Sequence, residues 1–197
     1  SAEVVFGKFI RLVQFNDAPN ETTKRVLENT GAEVLGYIPK NAYLVSVPEN
    51  YVFQNIGLNI RAVSPFVPAM KLSKNLANNN YPDWAVSGNK ITISLSFFTH
   101  FTIAEKNTLL GQLSNTFNTE FKEIHNNEIE ATVGFNDISL LADLPFVMFI
   151  QSMEDPGEIE NFRARTSHRV EAIGLQTSNA YQLDGRGVHV SLGDYDF

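Results

Sequence analysis

Few residues of this 197-residue chain are spaced for chemistry. There is no cysteine, which removes thiol nucleophiles, disulfides and thiolate zinc sites together. The four histidines, His100, His125, His168 and His189, stand far apart, and none falls in the H-E-x-x-H spacing that sets two imidazoles on one helix face. Each has a plain structural reading: a helix start, a strand end, a linker and a strand. Gly185-Arg186-Gly187 precedes a strand, whereas phosphate cradles follow one and open a helix, which argues against a phosphate-loop enzyme. The most pointed feature is late in the chain. Val188, Val190 and Leu192 alternate as one face of a strand, with Asp194 at its end and Asp196 two residues on. Many α/β proteins have such a strand, and alone it names no reaction.

The elements upstream form a repeated order. Lys8 to Phe15 is β-branched and aromatic enough for a strand, Asp17 to Asn20 is turn chemistry, and Glu21 to Asn29 reads as a short helix stopped by Gly31. Glu33 to Tyr37 and Ala42 to Val47 are strands, the second with Tyr43, Val45 and Val47 on one face. A short helix is expected from Pro48-Glu49 through Ile56, then a strand from Ile60 to Ser64. The order recurs further on. Ile91, Ile93, Leu95 and Phe97 alternate with Thr92, Ser94 and Ser96. Thr102-Ile-Ala-Glu105 is a capping box for a helix running to about Phe117. Strands follow at Glu120 to His125 and Glu128 to Val133 across the Asn126-Asn127 turn. Asn136 can cap a short helix through Ala142, and Phe146 to Gln151 is a last strand.

Both halves therefore read β-α-β-β-α-β, an α+β chain of two tandem ferredoxin-like units. The first spans residues 1–68 and the second 89–152, joined by a connector, 69–88, whose Trp84 reads as a packing anchor. In such a unit both helices cover one sheet face. In the second unit the other face carries Thr92, Ser94, Ser96, Glu128, Glu130 and Thr132. That face reads either as a solvated sheet surface or as a docking surface polar enough to separate again. A unit of about 60 residues is marginal alone and gains from a neighbour.

Composition bounds the function classes. The chain is 43% hydrophobic and 19% charged, as globular domains are, with no apolar run near the roughly 20 residues that span a bilayer. A net charge of -7, with lysines and arginines scattered, argues against a nucleic-acid partner. The first residues, Ser1-Ala2-Glu3, show neither a basic nor an apolar signal region.

Residues 153–180 change in texture: charged, with Pro156 and Gly157, they read as an exposed linker. In it Asn161, Phe162, Arg163, Ala164 and Arg165 form an accessible-looking stretch. Residues 181–197 then resemble the first core strand of subtilisin-like serine peptidases, in which a G-x-G-V segment leads into an apolar strand ending at the catalytic aspartate. Gly185-Arg-Gly187-Val188 matches the lead-in, and Asp194 falls at the aspartate, with Asp196 as the alternative position. Tyr195 and Asp196 depart from the family's usual Asp-(Ser/Thr/Asp)-Gly. Zymogens of that family often carry a ferredoxin-like pro-domain and a cleavable linker upstream, which is the order here, except that the unit is doubled.

The resemblance implies a pro-region that assists folding of the catalytic domain and inhibits it until the linker, around Asn161 to Arg165, is cut. Asp194 would orient a histidine while serine attacks, and both partners are expected beyond Phe197. The chain is thus expected to be inactive alone. Its expected partner is the catalytic domain of the same precursor, with no nucleic acid and no membrane. No cofactor is expected in this chain, and calcium sites would belong mainly to the missing catalytic domain. The expected location is secreted, periplasmic or at the cell surface, with the signal peptide removed. Two rival readings remain from the residues. One is a free-standing peptidase inhibitor, which would end near Gln151. The other is a ligand-sensing regulatory module, for which Asn16-Asp17 and Phe98-Thr99 would have to replace the usual Gly- or Asp-rich loops.

Overall fold

In β1 (Lys8–Phe15) successive side chains leave opposite faces, so Phe9, Val13 and Phe15 point one way and Ile10 and Leu12 the other. The chain then turns into α1 (Glu21–Asn29). Its N-terminus is closed by a reciprocal cap: Asn20 Oδ1 accepts from the Thr22 and Thr23 amides, and Thr23 Oγ1 accepts from the Asn20 amide. Leu27 of α1 is fully buried on the sheet. After Gly31, in the left-handed region at φ 96°, come β2 (Glu33–Ile38) and β3 (Ala42–Pro48). β3 pairs with both β2 and β1, and β4 (Ile60–Pro65) pairs with the far side of β1. The first sheet is therefore antiparallel in the order β2-β3-β1-β4.

The structure is a computed structural model that describes residues 3–155 except 55 and 126. The chain divides into two units, Ser1–Asp155 and Pro156–Phe197, and all the elements named belong to the first.

The helix expected over 48–56 does not form. The Tyr51 amide closes a turn on the Pro48 carbonyl at 3.0 Å. Tyr51 and Phe53, two residues apart, then both pack on the core of the first sheet, joined by Ile56 and Leu58. An extended chain puts residues i and i+2 on one side and a helix does not, so the need to insert both rings overrides the helical pattern. The rings meet edge to face at 4.8 Å, and the Tyr51 hydroxyl lies 2.5 Å from that of Thr30.

The segment between the halves is packed rather than loose. A 3-10 turn, Pro68–Met70, leads to α2 (Lys74–Ala77), and a second, Asp83–Ala85, leads to β5 (Val86–Ser87). Leu76 and Ala85 are buried anchors, whereas Trp84 is 55% exposed, its indole N–H donating to the Met153 carbonyl at 3.1 Å. The packing role expected of Trp84 thus falls to its neighbour.

β6 (Lys90–Phe97) is the spine of the second sheet. Beside it, β8 (Glu128–Gly134) pairs with β7 (Lys122–His125), and β9 (Val147–Ser152) pairs with the other edge of β6. The order β7-β8-β6-β9 repeats that of the first sheet, with β5 added as a short hairpin partner of β6. β9 has a further neighbour on its outer side. The Ile150 amide donates to the Lys71 carbonyl at 2.7 Å, and the Ser73 amide donates to the Ile150 carbonyl at 2.9 Å. The connector thereby covers what would be an open sheet edge.

Helix α3 (Ile103–Phe117) begins at the expected capping box, Thr102 Oγ1 accepting from the Glu105 amide and Glu105 Oε2 from the Thr102 amide. α4 (Asp137–Asp143) starts differently from expectation. Asn136 makes no side-chain cap, and instead Asp137 Oδ2 accepts from the Gly134 amide at 2.9 Å, tying the helix start back to β8. Leu109 and Leu113 of α3, with Ile138, Leu141 and Ala142 of α4, join Ile91, Ile93, Leu95, Phe97, Ile129, Ala131 and Val133 in one buried cluster. Both helices therefore lie on the apolar face of the second sheet.

Candidate functional site

The other face of the second sheet is polar and half-buried, with Ser94 only 5% exposed, and no apolar cluster of the described residues covers it. Register places Thr92 against Thr132, Ser94 against Glu130 and Ser96 against Glu128. The hydroxyls of Thr92 and Thr132 lie 3.0 Å apart, and Ser94 Oγ donates to Glu128 Oε1 at 2.5 Å. On β9, Gln151 lies opposite Ser94, and Phe149, 37% exposed, lies opposite Ser96. Glu128 and Glu130, two residues apart on one strand, leave the same side. Two half-buried carboxylates on a hydrogen-bonded hydroxyl lawn can accept from cationic side chains or from free amides at helix starts.

The corresponding face of the first sheet is not available. Ala42, Leu44 and Ser46 on it are all buried, and Ile10 and Leu44 belong to the same cluster as Phe98 and Phe101 of the second half. Phe6 meets Phe101 edge to face at 5.9 Å, and Phe66 meets Phe98 at 6.0 Å. His100 sits between these rings, 4.1 Å from Phe101 by ring centres, with Nδ1 buried and unpartnered. Burial holds its pKa below the ordinary value; the Glu33 carboxylate opposes this, the Lys8 ammonium adds to it, and Glu105 opposes it. Glu33 and Lys8 themselves form an ion pair at 3.3 Å.

A cavity of about 290 Å3 lies where β1 and the connector meet the end of α4, lined by Ile10, Arg11, Phe66, Lys71, Asp143 and Pro145 among others. Lys71 is only 3% exposed. Its ammonium donates to the Leu144 carbonyl at 2.6 Å, just past the last turn of α4, where a helix end favours a cation. Burial lowers its pKa from 10.5 to about 8, with Asp143 pulling the other way. Arg11 is clasped by Glu3 at 2.7 Å and lies over the Phe9 ring.

The residues that the sequence marks for chemistry are not among those just placed. Asp194, Asp196 and the stretch Asn161, Phe162, Arg163, Ala164 and Arg165 lie outside the described residues, as do His168 and His189. Of the remaining histidines, His100 precedes the cap of α3 and His125 ends β7, far from forming a pair in sequence or on one element. Among the described residues no group of three His, Asp or Glu side chains is placed to hold a metal. Lys71 was not singled out by its sequence. The available signal was one lysine inside the otherwise apolar run Phe66 to Leu72.

Residues 3–67 match a family described as a domain of unknown function, DUF8729. The match begins ahead of β1 and stops two residues after β4, so it covers the first sheet and about a third of the chain. No curated protein and no solved structure matches the chain.

Proposed function

We propose that this chain is the pro-region of a secreted subtilisin-like serine endopeptidase, two ferredoxin-like units followed by a processed linker and the first strand of the catalytic domain. The single observation that carries the reading is the unequal cover of the two sheets. The first sheet has its second face buried by the other half, whereas the second keeps one polar face with no apolar cover among the described residues. Such a surface suits an escort that binds its partner, is wetted on release and does not aggregate. The strand orders β2-β3-β1-β4 and β7-β8-β6-β9 support the ferredoxin-like reading of both halves. The missing second helix of the first unit is a departure from that pattern.

In this reading the second unit docks, since its face is polar, without apolar cover among the described residues, and it is contiguous with the linker. Glu128 and Glu130 accept from the catalytic domain, and the chain around Asn161 to Arg165 occupies the substrate cleft until it is cut. Asp194 would then serve the triad with a histidine and a serine supplied downstream. The folding role has a physical motive: an α/β domain rich in non-local contacts folds slowly, and a preformed sheet offers it a template.

The test is to express residues 1–165 and add them to the catalytic domain encoded downstream. Inhibition at micromolar concentration and faster recovery of activity on refolding are expected. Absence of both effects would remove both roles.

A further inference from the structure

The buried lysine of the connector is under-used by the protein. An ammonium has three donors. Lys71 spends one on the Leu144 carbonyl, and no carboxylate among the described residues lies within ion-pair distance of it. A cation withdrawn from water with donors to spare is costly unless an anion reaches it. The cavity beside it provides the room. Its volume of about 290 Å3 corresponds to a ligand of roughly ten heavy atoms, at about 30 Å3 per water in the liquid.

The walls limit what can enter. Ile10, Pro65, Phe66, Val67 and Pro145 make them mostly apolar. Arg11, the other cation of the lining, already has Glu3 as its counter-ion, whereas Lys71 has no carboxylate at ion-pair distance among the described residues, so an added anion is drawn to Lys71. Asp143 disfavours ligands of higher negative charge. A single carboxylate on a short apolar group meets all of these conditions.

We propose that this cavity binds a small monocarboxylate, its carboxylate on Lys71 and its apolar part against Ile10, Phe66 and Pro145. The same chemistry is offered by a free branched-chain acid and by the C-terminal residue of a cleaved peptide. The site stands apart from the polar sheet face and does not depend on the pro-region reading.

Calorimetric titration of the full chain at pH 7 with 4-methylpentanoate, N-acetyl-leucine and the two corresponding amides tests it. At least one acid should bind in the millimolar range or tighter, and its amide at least tenfold more weakly. Tighter binding of 4-methylpentanoate assigns the site to free acids, and tighter binding of N-acetyl-leucine assigns it to peptide ends. Binding should weaken as pH rises from 7 to 9.5, because the ammonium is lost around pH 8. Lys71→Met should abolish binding while the chain still unfolds cooperatively. Should that variant fail to fold, the acid–amide comparison and the pH series on the native chain decide. No heat with either acid up to 20 mM, equal affinity for acid and amide, or affinity constant from pH 7 to 9.5 would each overturn the proposal, leaving Lys71 as a cap on α4.

Discussion

The two sheets share a strand order and differ in what covers them. In the first, β3 is buried from Ala42 through Val47 without a break, because α1 and the 51–58 segment lie on one face and the other half lies on the second. In the second, β8 alternates in burial and β6 does so apart from the buried Ser94, with Ile, Leu, Phe and Val toward the helices and hydroxyls and carboxylates on the reverse. A face of apolar side chains must be removed from water, at about 25 cal/mol per Å2, while a face of Ser, Thr and Glu can stay wet. The same topology thus serves as a filling in one half and as a surface in the other.

The sharpest way to break the comparison is to charge both reverse faces. Leu44→Asp puts an unpaired carboxylate into a site 4% exposed and should cost more than about 4 kcal/mol, seen as loss of a cooperative thermal transition by circular dichroism. Ser96→Lys, on the polar face opposite Glu128, should change stability by no more than about 0.5 kcal/mol. Comparable losses from the two would mean that the second face is buried as well.

A smaller effect separates the two helix starts of the second half. Thr102→Ala removes a reciprocal cap and should cost about 1 kcal/mol in urea unfolding. Asn136→Ala, at a cap position without a cap bond, should stay within about 0.5 kcal/mol.

The smallest effect concerns the contact between the halves. The folded chain holds the pKa of His100 below the unfolded value near 6.5, so the unfolded chain binds the proton more readily. The stability tied to the neutral ring is therefore complete above pH 6.5 and declines as pH falls below it. His100→Gln should show a shallower fall in melting temperature between pH 7.5 and pH 5 than the native chain. Parallel curves would show that protonation of His100 is not what loosens the contact.

Much of the second half was legible because its signals are local. The alternation from Ile91 to Phe97 and the Thr102–Glu105 box each lie within a few residues, and both elements form where they were expected. The first half was less legible. The sequence pattern puts only Tyr43, Val45 and Val47 of β3 on an apolar face, whereas Ala42 to Val47 form an unbroken buried run, the mark of a strand covered twice, and the second cover comes from residues past Phe97. The 48–56 helix failed because two rings had to reach the sheet together. The Lys71 cavity was invisible for a related reason: the ammonium's partner carbonyl lies 73 residues away in sequence. Asn136 misled because Asn at a helix start is only a propensity, and Asp137 took the adjoining amide instead.

The lashing of the connector to β9 bears on how the molecule comes apart. Asn78, Asn79 and Asn80 are exposed, with Asn79 in the left-handed region at φ 53°, a tip that a protease could reach. Scission there would yield two peptides but not two bodies, because Lys71 and Ser73 stay laced to Ile150 and Leu76 stays in the common core. Dismantling the molecule would have to start by prising a strand loose, not by snipping the tether.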